Sequence, residues 1–276
     1  MLYENKNTGV SIRAARICID PNVTLGRNVT VRAHGEFRVG KYSKIGDDTL
    51  IEGNNIHIGK HFYGSGGMVV GAGGQQYPNA NLKIGDRCVI HDNTINVCDP
   101  VEIGDDVGFS GRVEIITHGF WLSALQGHPV NFSGVKINNG EILGFGSTIL
   151  MGVSIAEQVV VGASSLVSKD LVRRNSIYAG SPAKFIRTIK PLSETEQVAL
   201  VDSILEKYSE IAKYQGINPF IKSDFPNIEV NKFRFNVITH KYEGIEDDET
   251  DNLRDYFRKW GIRIYPERPF STHFEL

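Results

Sequence analysis

The chain has 276 residues, which is enough for a sizeable core and predicts one main domain with a smaller one. Its net charge is -2 and its basic residues form no stripe, which argues against a nucleic-acid partner. No apolar run approaches the length of a membrane span, about 20 residues, and the first residues lack the apolar core of a signal peptide. The three cysteines have no metal-ligand spacing, which indicates reduced thiols. We therefore predict a cytoplasmic protein.

Aliphatic residues recur at a spacing of six from the first coils onward. This period fits neither the helix repeat nor the alternation of a single strand, and it is typical of a parallel β-helix. The spacing relates the members of several sets: Ile17, Val23 and Val29; Val39, Ile45 and Ile51; Ile84 and Ile90; Ile103, Phe109 and Ile115; Leu143, Ile149, Ile155, Val161 and Val167.

Three hexads should make one triangular coil, so that residues eighteen positions apart stack in the interior. We therefore expect Leu143 to lie over Val161 and Val97 to lie under Ile115. Glycine, asparagine and aspartate fill the predicted corners, where they tolerate left-handed backbone better than other residues.

The repeat breaks first between Gly59 and Leu82, in a stretch with six glycines between Gly64 and Gly74. An insertion in a solenoid must leave the stack, and such loops often carry function. No phosphate-cradling Gly-Lys-Ser/Thr pattern is present. We interpret this segment as an excursion or an irregular coil, in preference to an acceptor-binding element.

The second break runs from Thr117 to about Val135, and its second residue is a histidine, His118. Because His118 follows the Ile115 rung directly, its side chain could face a cleft. An alcohol is hardly ionised at neutral pH, and imidazole can take its proton as a general base.

The main repeat ends near Lys169, and the composition changes after residue 189. Ser193 and Glu196 form a capping-box pattern, which predicts a helix that Gly216 ends. Further on, the spacing predicts a strand at Phe233, Phe235 and Val237, a helix before Gly261, and a strand at 262–265. We therefore predict two domains, a β-helix over 1–189 and a small α+β appendage over 190–276.

Three stretches of the chain resemble the hexapeptide-repeat acyltransferases of the maltose, galactoside and nodulation O-acetyltransferase type. They are Ile103 through His118, Leu143 through Asp170, and Ala179-Gly-Ser-Pro-Ala-Lys with Arg187. The resemblance covers about residues 15–190. It implies an all-β domain, a left-handed parallel β-helix, and an acyltransferase that moves acetyl from acetyl-CoA to a saccharide hydroxyl.

The resemblance also implies a site. His118 would be the general base, and the backbone amide of Phe145 would stabilise the oxyanion. The residues that would line the coenzyme groove or hold its phosphates are Gly144, Ala163, Ser168, Lys169, Lys184 and Arg187. The candidates for contact with the acceptor, or for orienting the imidazole, are Asn93, Asn96, Asp99 and His128. No metal is expected, and the family's association implies a homotrimer with its site between subunits.

Other functions stay open at this point. N-acylation of an amino sugar or antibiotic would use the same base. A non-catalytic scaffold would need neither His118 nor a coenzyme groove. A zinc carbonic anhydrase on this solenoid would need three histidine ligands, two of them close in sequence, and His118 lacks such a companion.

Overall fold

The structure is a computed structural model that describes residues 1–71, 73 and 77–268. The chain divides into two compact units, Met1–Ile189 and Lys190–Leu276. Part of the predicted glycine-rich excursion, including Gly74, lies outside the described residues. Each unit is considered by itself.

The first unit is built almost entirely from short strands. In chain order they are β1 Leu2–Asn5, β2 Val10–Arg13, β3 Arg16–Ile19, β4 Thr24–Leu25, β5 Thr30–Ala33, β6 Glu36–Val39, β7 Lys44–Ile45, β8 Leu50–Gly53, β9 Ile56–Ile58, β10 Tyr63–Gly64, β11 Val69–Gly71, β12 Leu82–Ile84, β13 Val89–Ile90, β14 Thr94–Asn96, β15 Val101–Ile103, β16 Gly108–Phe109, β17 Glu114–Ile115, β18 His118–Gly119, β19 Asn131–Phe132, β20 Val135–Ile137, β21 Ile142–Leu143, β22 Thr148–Ile149, β23 Ser154–Ile155, β24 Val159–Val161, β25 Leu166–Val167, β26 Ser176–Ala179 and β27 Lys184–Thr188.

These strands stack into three long sheets, which form the faces of the predicted left-handed parallel β-helix. Face A contains β1, β2, β5, β8, β11, β14, β17, β22 and β25; face B contains β3, β6, β9, β12, β15, β20 and β23; face C contains β4, β7, β10, β13, β16, β21, β24, β26 and β27. The chain passes from face A to B to C in each coil. We name the three corners edge AB, edge BC and edge CA after the faces they join.

The interior is largely a stack of apolar side chains, as the hexad spacing predicts. Leu143, Ile149 and Ile155 are all fully buried, and Leu143 pairs with Val161 as expected. The predicted stacking of Val97 under Ile115 is wrong, because Ile95 is the residue that pairs with Ile115.

Coil length explains this error. The last full coil has the expected eighteen-residue step, from Ile149 to Val167. Earlier steps are longer: Val31 pairs with Ile51, twenty residues on, and Ile95 with Ile115, also twenty on. The two extra residues of each longer coil lie at edge AB, because Val31 to Val39 and Ile95 to Ile103 are steps of eight residues, whereas the other steps of these coils are six.

The two sequence breaks behave differently. The first is shorter than predicted, because β10 and β11 are regular rungs and the repeat is interrupted only between Gly71 and Leu82. The second is a protruding loop, as predicted. Strands β18 and β19 open it as an antiparallel hairpin, with a 3₁₀ turn at Ala124–Gln126.

One charged side chain lies inside the prism. Glu141 is fully buried, and neither of its carboxylate oxygens has a hydrogen-bond partner among the described residues. The register places it between Val107 and Val159 of the neighbouring coils. Because burial penalises the charged form, the pKa of Glu141 is raised to about 8.

The second unit combines two helices with an antiparallel sheet. Its elements are α1 Glu194–Tyr214, β28 Ile221–Asp224, β29 Asn227–Val230, β30 Phe233–Asn236, β31 Tyr242–Gly244 and α2 Asp248–Arg258. Ser193 and Glu196 form the predicted capping box. The strand predicted at 262–265 is wrong, since these residues have no regular structure and Ile264 is instead buried in the core of this unit. No described helix combines the length and apolar character that spanning a membrane requires.

Candidate active site

His118 lies on edge AB, at the point where the chain leaves face A. It opens β18, and its partner across the hairpin is Phe132. The hairpin carries the loop outward, and the chain rejoins face B at Val135. The imidazole is half-buried. The fold therefore places this side chain at an exposed corner on a rigid scaffold.

Asn96, at the end of β14 on the preceding coil, has a fixed amide orientation. Its Nδ2 donates to the Gly71 carbonyl at 3.0 Å. Its Oδ1 accepts from the backbone N–H groups of Cys98 at 3.3 Å and Thr117 at 3.4 Å, and from the Thr117 hydroxyl. If the oxygen and nitrogen of the Asn96 amide exchanged places, its NH₂ group would face these three donors. Oδ1 must therefore be the atom that accepts.

This orientation fixes the tautomer of His118. Its Nδ1 lies 2.8 Å from Asn96 Oδ1, which can only accept, so Nδ1 carries the proton. In the neutral imidazole the lone pair is therefore on Nε2. The arrangement suits a base that accepts a proton at Nε2.

Two phenylalanines hold the plane of the imidazole. Phe132 stacks on His118 with ring centroids 5.9 Å apart and an interplanar angle of 15°, and Phe120 lies at 5.4 Å. Sequence analysis missed both residues. The available signal was their position at the two ends of the second break, because residues that flank a loop base face each other in a hairpin.

The rest of the loop is exposed, including His128. Trp121 and Leu125 are 90% and 99% exposed, which is unusual for large apolar side chains. The structure does not bring His128 into contact with His118. A role for His128 in acceptor binding stays a prediction.

Edge AB carries three more candidates. Ile115, Ile149 and Val167 stack in successive coils, so Ser168 and Lys169 lie two coils beyond His118 on the same edge, and both are exposed. Asp99 lies on the same edge in the coil before His118, where it is half-exposed and accepts a hydrogen bond from Asn79 Nδ2 at 3.2 Å.

Edge CA carries a second group of candidates. Gly144, Phe145 and Ala163 follow β21 and β24, where the chain turns from face C to face A. A Cβ on Gly144 would lie 2.5 Å from the Ala163 nitrogen, so only glycine allows the two coils to approach this closely. Phe145 is half-exposed, and no described residue accepts a hydrogen bond from its backbone N–H.

Strand β27 supplies two exposed cations at the end of face C. Lys184 pairs with Ala179, which is the last residue of β26 before edge CA. Arg187 pairs with Ile177, and its guanidinium lies 3.5 Å from the Thr188 carbonyl.

The expectation that Asn93 contacts an acceptor requires correction. Its side chain is 1% exposed and lies inside the coil. There its Oδ1 accepts from the Val113 backbone N–H at 2.6 Å. A buried asparagine that supports the next coil cannot reach a substrate outside it, so Asn93 is a structural residue.

The candidates thus fall on two edges of the prism. His118, Asn96, Ser168 and Lys169 belong to edge AB, whereas Gly144, Phe145 and Ala163 belong to edge CA. One chain does not bring the imidazole and the Phe145 amide together at a single corner.

The surroundings of His118 do not offer a set of metal ligands. Its ring contacts an amide and two phenylalanines. Across residues 1–71, 73 and 77–268, no group of three His, Cys, Asp or Glu side chains is placed to hold a metal ion.

Comparison with known proteins gives several similarities. The chain is similar to galactoside O-acetyltransferase of Escherichia coli (strain K12), with 30% identity over 167 residues, which cover 54% of this chain and 64% of the relative. It is also similar to gamma carbonic anhydrase 1, mitochondrial, of Arabidopsis thaliana, with 23% identity over 222 residues, which cover 79% of this chain and 68% of the relative.

Among solved structures, the polysialic acid O-acetyltransferase OatWY is similar at a TM-score of 0.47 and 22% identity, over 64% of this chain and 88% of that chain. No protein-family model matches the sequence. The chain spans less than two thirds of the galactoside enzyme's length. That relative confirms the resemblance to the hexapeptide-repeat acyltransferases indicated by the three sequence stretches.

Proposed function

We propose that the protein is an acetyl-CoA-dependent O-acetyltransferase that acts on a saccharide hydroxyl, with His118 as general base. The observation that carries the proposal is the 2.8 Å hydrogen bond from His118 Nδ1 to Asn96, which leaves the Nε2 lone pair available at an exposed edge. The similarity to galactoside O-acetyltransferase supports the choice of reaction and acceptor class.

The reaction needs a proton to leave the acceptor and reach the leaving group. His118 Nε2 takes the hydroxyl proton as the oxygen attacks the thioester carbonyl. The tetrahedral intermediate collapses, the carbon–sulfur bond breaks, and the imidazolium returns the proton to the thiolate. Asn96 accepts from Nδ1 throughout, so it keeps the ring in one orientation.

Negative charge on the carbonyl oxygen would be stabilised by the Phe145 amide, whose N–H has no acceptor among the described residues. Because His118 lies on edge AB and Phe145 on edge CA, both serve one reaction only if a second copy supplies one of them. We therefore propose a homotrimer with a site at each junction between subunits.

Coenzyme A would extend along edge CA. Gly144 and Ala163 offer a shallow surface for the pantetheine arm, because neither has a bulky side chain. The phosphates would meet Lys184 and Arg187, with Ser168 and Lys169 contributed from edge AB, since cations bind phosphate through charge-assisted hydrogen bonds.

Asp99 and His128, on either side of His118 along the chain, are the groups that we propose for acceptor hydroxyls. Residues 1–189 would form the acyltransferase domain, and residues 190–276 an extension. A cytoplasmic location is supported by Cys18, Cys88 and Cys98, all three of which are unpaired.

The proposal is tested by mixing the protein with acetyl-CoA and a panel of sugars and following thiol release. His118→Ala should lower turnover by about 10²- to 10⁴-fold, the range for loss of a general base. The matched control is His91→Ala, because His91 is also half-buried and bonds a neighbouring side chain, Ser65 Oγ, at 2.9 Å.

The control should retain wild-type turnover. Thiol release that persists in His118→Ala would remove His118 as the base. A complete lack of release with hydroxyl acceptors, but release with an amino sugar, would replace O-acetylation by N-acetylation. Release with neither acceptor class would overturn the enzymatic proposal.

A further inference from the structure

A cleft of about 390 Å³ opens on the first coils, far from the candidates discussed so far. It lies where β2, β5 and β8 of face A reach edge AB. The residues that line it are Arg13, Arg32, Ala33, His34 and Glu52. None of them belongs to the motifs that led to the proposed function.

The charges in this cleft are unbalanced. Arg13 and Arg32 are directly opposed in the register of β2 and β5, and like charges in that position repel each other. Arg32 bonds Glu52 at 2.6 Å, which neutralises one of the two cations. Within the described residues, no acidic side chain forms an ion pair with Arg13. An anion in the cleft would remove the remaining repulsion.

The cleft is aligned with the proposed base. One row of paired residues runs up face A through Val31, Ile51, Val70, Ile95 and Ile115. His34 follows Val31 by three residues, and His118 follows Ile115 by three, so both histidines leave face A at edge AB. Four strand spacings of about 4.8 Å separate their coils, which is roughly 19 Å along the helix axis.

One position on face A between the two histidines is occupied by glycine. Gly71 follows Val70 at the position that Glu52 and Asn96 occupy in the adjacent coils. A Cβ on Gly71 would approach Glu52 Cβ to 3.0 Å. Glycine at this position keeps the two coils close together, and Gly71 itself is buried.

We propose that this cleft binds an anionic group of an acidic oligosaccharide, a chain long enough to place one of its hydroxyls at His118. The fork of an arginine guanidinium matches a carboxylate, as carried by uronic acids, and forms two charge-assisted hydrogen bonds with it. The net charge of -2 gives the protein no general attraction for polyanions, so binding depends on this local cluster. The inference rests on the proposed acetyl transfer to a saccharide.

Activity assays test the proposal through the choice of acceptor. Thiol release is compared for a hexasaccharide of uronic acids and a neutral hexasaccharide of the same length. Arg13→Gln should lower kcat/KM for the acidic chain about three- to fivefold relative to the neutral one, the scale of one exposed ion pair, mainly through KM. The control is Arg16→Gln, because Arg16 is similarly exposed but belongs to face B.

Binding measured without acetyl-CoA separates this inference from the proposed function. The acidic hexasaccharide is titrated into wild type, Arg13→Gln and Arg16→Gln, with the uronic acid monomer as a second ligand. Weaker binding to Arg13→Gln alone supports the cleft even if no acetyl transfer is found. Equal binding to all three proteins, or a monomer that binds as tightly as the chain, overturns it.

Discussion

The two candidate edges of the β-helix are built from the same coils but present different chemistry. Edge AB carries an imidazole with a fixed tautomer, held by Asn96 and flanked by a long loop. Edge CA carries closely packed backbone at Gly144, an amide at Phe145 with no acceptor in the described part of the chain, and no loop of that length. In the proposed function, edge AB would move the proton, whereas edge CA would hold the extended coenzyme and the oxyanion.

This difference indicates how a solenoid can make an enzyme. A convex prism has corners but no internal cleft, so groups on separate edges cannot converge within one chain. Association about a threefold axis would bring edge AB of one copy against edge CA of the next. The following predictions test whether the two edges act as halves of one site.

The largest expected effect is complementation between two inactive variants. His118→Ala disables edge AB, and Ala163→Trp should block edge CA, because Ala163 is exposed beside Gly144. Each variant alone should be inactive. If the trimer has one site per junction, random mixing of the subunits should restore about a quarter of wild-type turnover, since that fraction of junctions combines two intact edges. Thiol release after co-expression of two tagged variants measures it.

The control for complementation is the double variant that carries both changes on one chain, mixed with either single variant. A working junction needs one intact edge AB and one intact edge CA. In this mixture the single variant supplies only one of them, and the double variant supplies neither. Activity should therefore stay at background. Activity in this control would show that a substitution leaves its edge functional. No recovery in the test mixture would show that the edges do not act across subunits.

A smaller effect distinguishes the two asparagines of the coil that precedes His118. Asn96→Ala removes the oxygen that accepts from His118 Nδ1, so the imidazole is no longer held in one tautomer and one orientation. We expect kcat to fall about 10- to 100-fold, a range typical of partners that orient a reactive histidine. Asn93→Ala should leave kcat and the KM for the acceptor unchanged and should lower only the unfolding temperature, because Asn93 bonds the Val113 backbone inside the coil.

The readout that separates orientation from general destabilisation is the split between kcat and the KM for acetyl-CoA. Loss of Asn96 should lower kcat and leave that KM unchanged, since Asn96 does not lie on the edge proposed for the coenzyme. A kcat lowered only in proportion to the folded fraction would assign Asn96 a structural role alone.

Much of this architecture was predictable because local pattern and global fold agree. The hexads place an aliphatic residue inward on every face, and Leu143 does pair with Val161. The capping box at Ser193 formed because its two hydrogen bonds are local. Where the determining contacts lie within a few residues, the sequence was sufficient.

The errors have a common physical origin in coil length. A coil of twenty residues satisfies the same interior column as one of eighteen, since corner residues absorb the difference. The spacing alone therefore could not decide between Val97 and Ile95 as the partner of Ile115. The same uncertainty of register hid which of Asn93 and Asn96 faces His118, because one position separates inward from outward side chains in a strand.

The third edge, BC, carries none of the candidate residues, and it should be separable from catalysis. Glu141 enters the interior just after this edge and packs between Val107 and Val159. Its pKa of about 8 lies above its ordinary value of 4.5 because burial disfavours the carboxylate. Sequence analysis gave no sign of this residue, since a charged side chain at an inward position breaks the pattern that defines the interior.

The raised pKa makes stability depend on pH in a defined direction. Between pH 4.5 and 8 the unfolded chain has released the Glu141 proton while the folded chain retains it, so the free energy of unfolding falls as pH rises through this window. The expected loss is on the order of 3 kcal/mol between pH 4.5 and 7. Glu141→Gln should flatten this slope, as measured by urea unfolding at several pH values, and kcat should stay unchanged.

Glu114→Gln provides the matched control, because Glu114 is an exposed carboxylate on face A of the adjacent coil. Its variant should keep the wild-type slope. A wild-type slope in Glu141→Gln would mean that Glu141 is hydrated or ionised inside the prism. A fall in kcat with unchanged stability would instead connect edge BC to the chemistry and break the division between active and inactive edges.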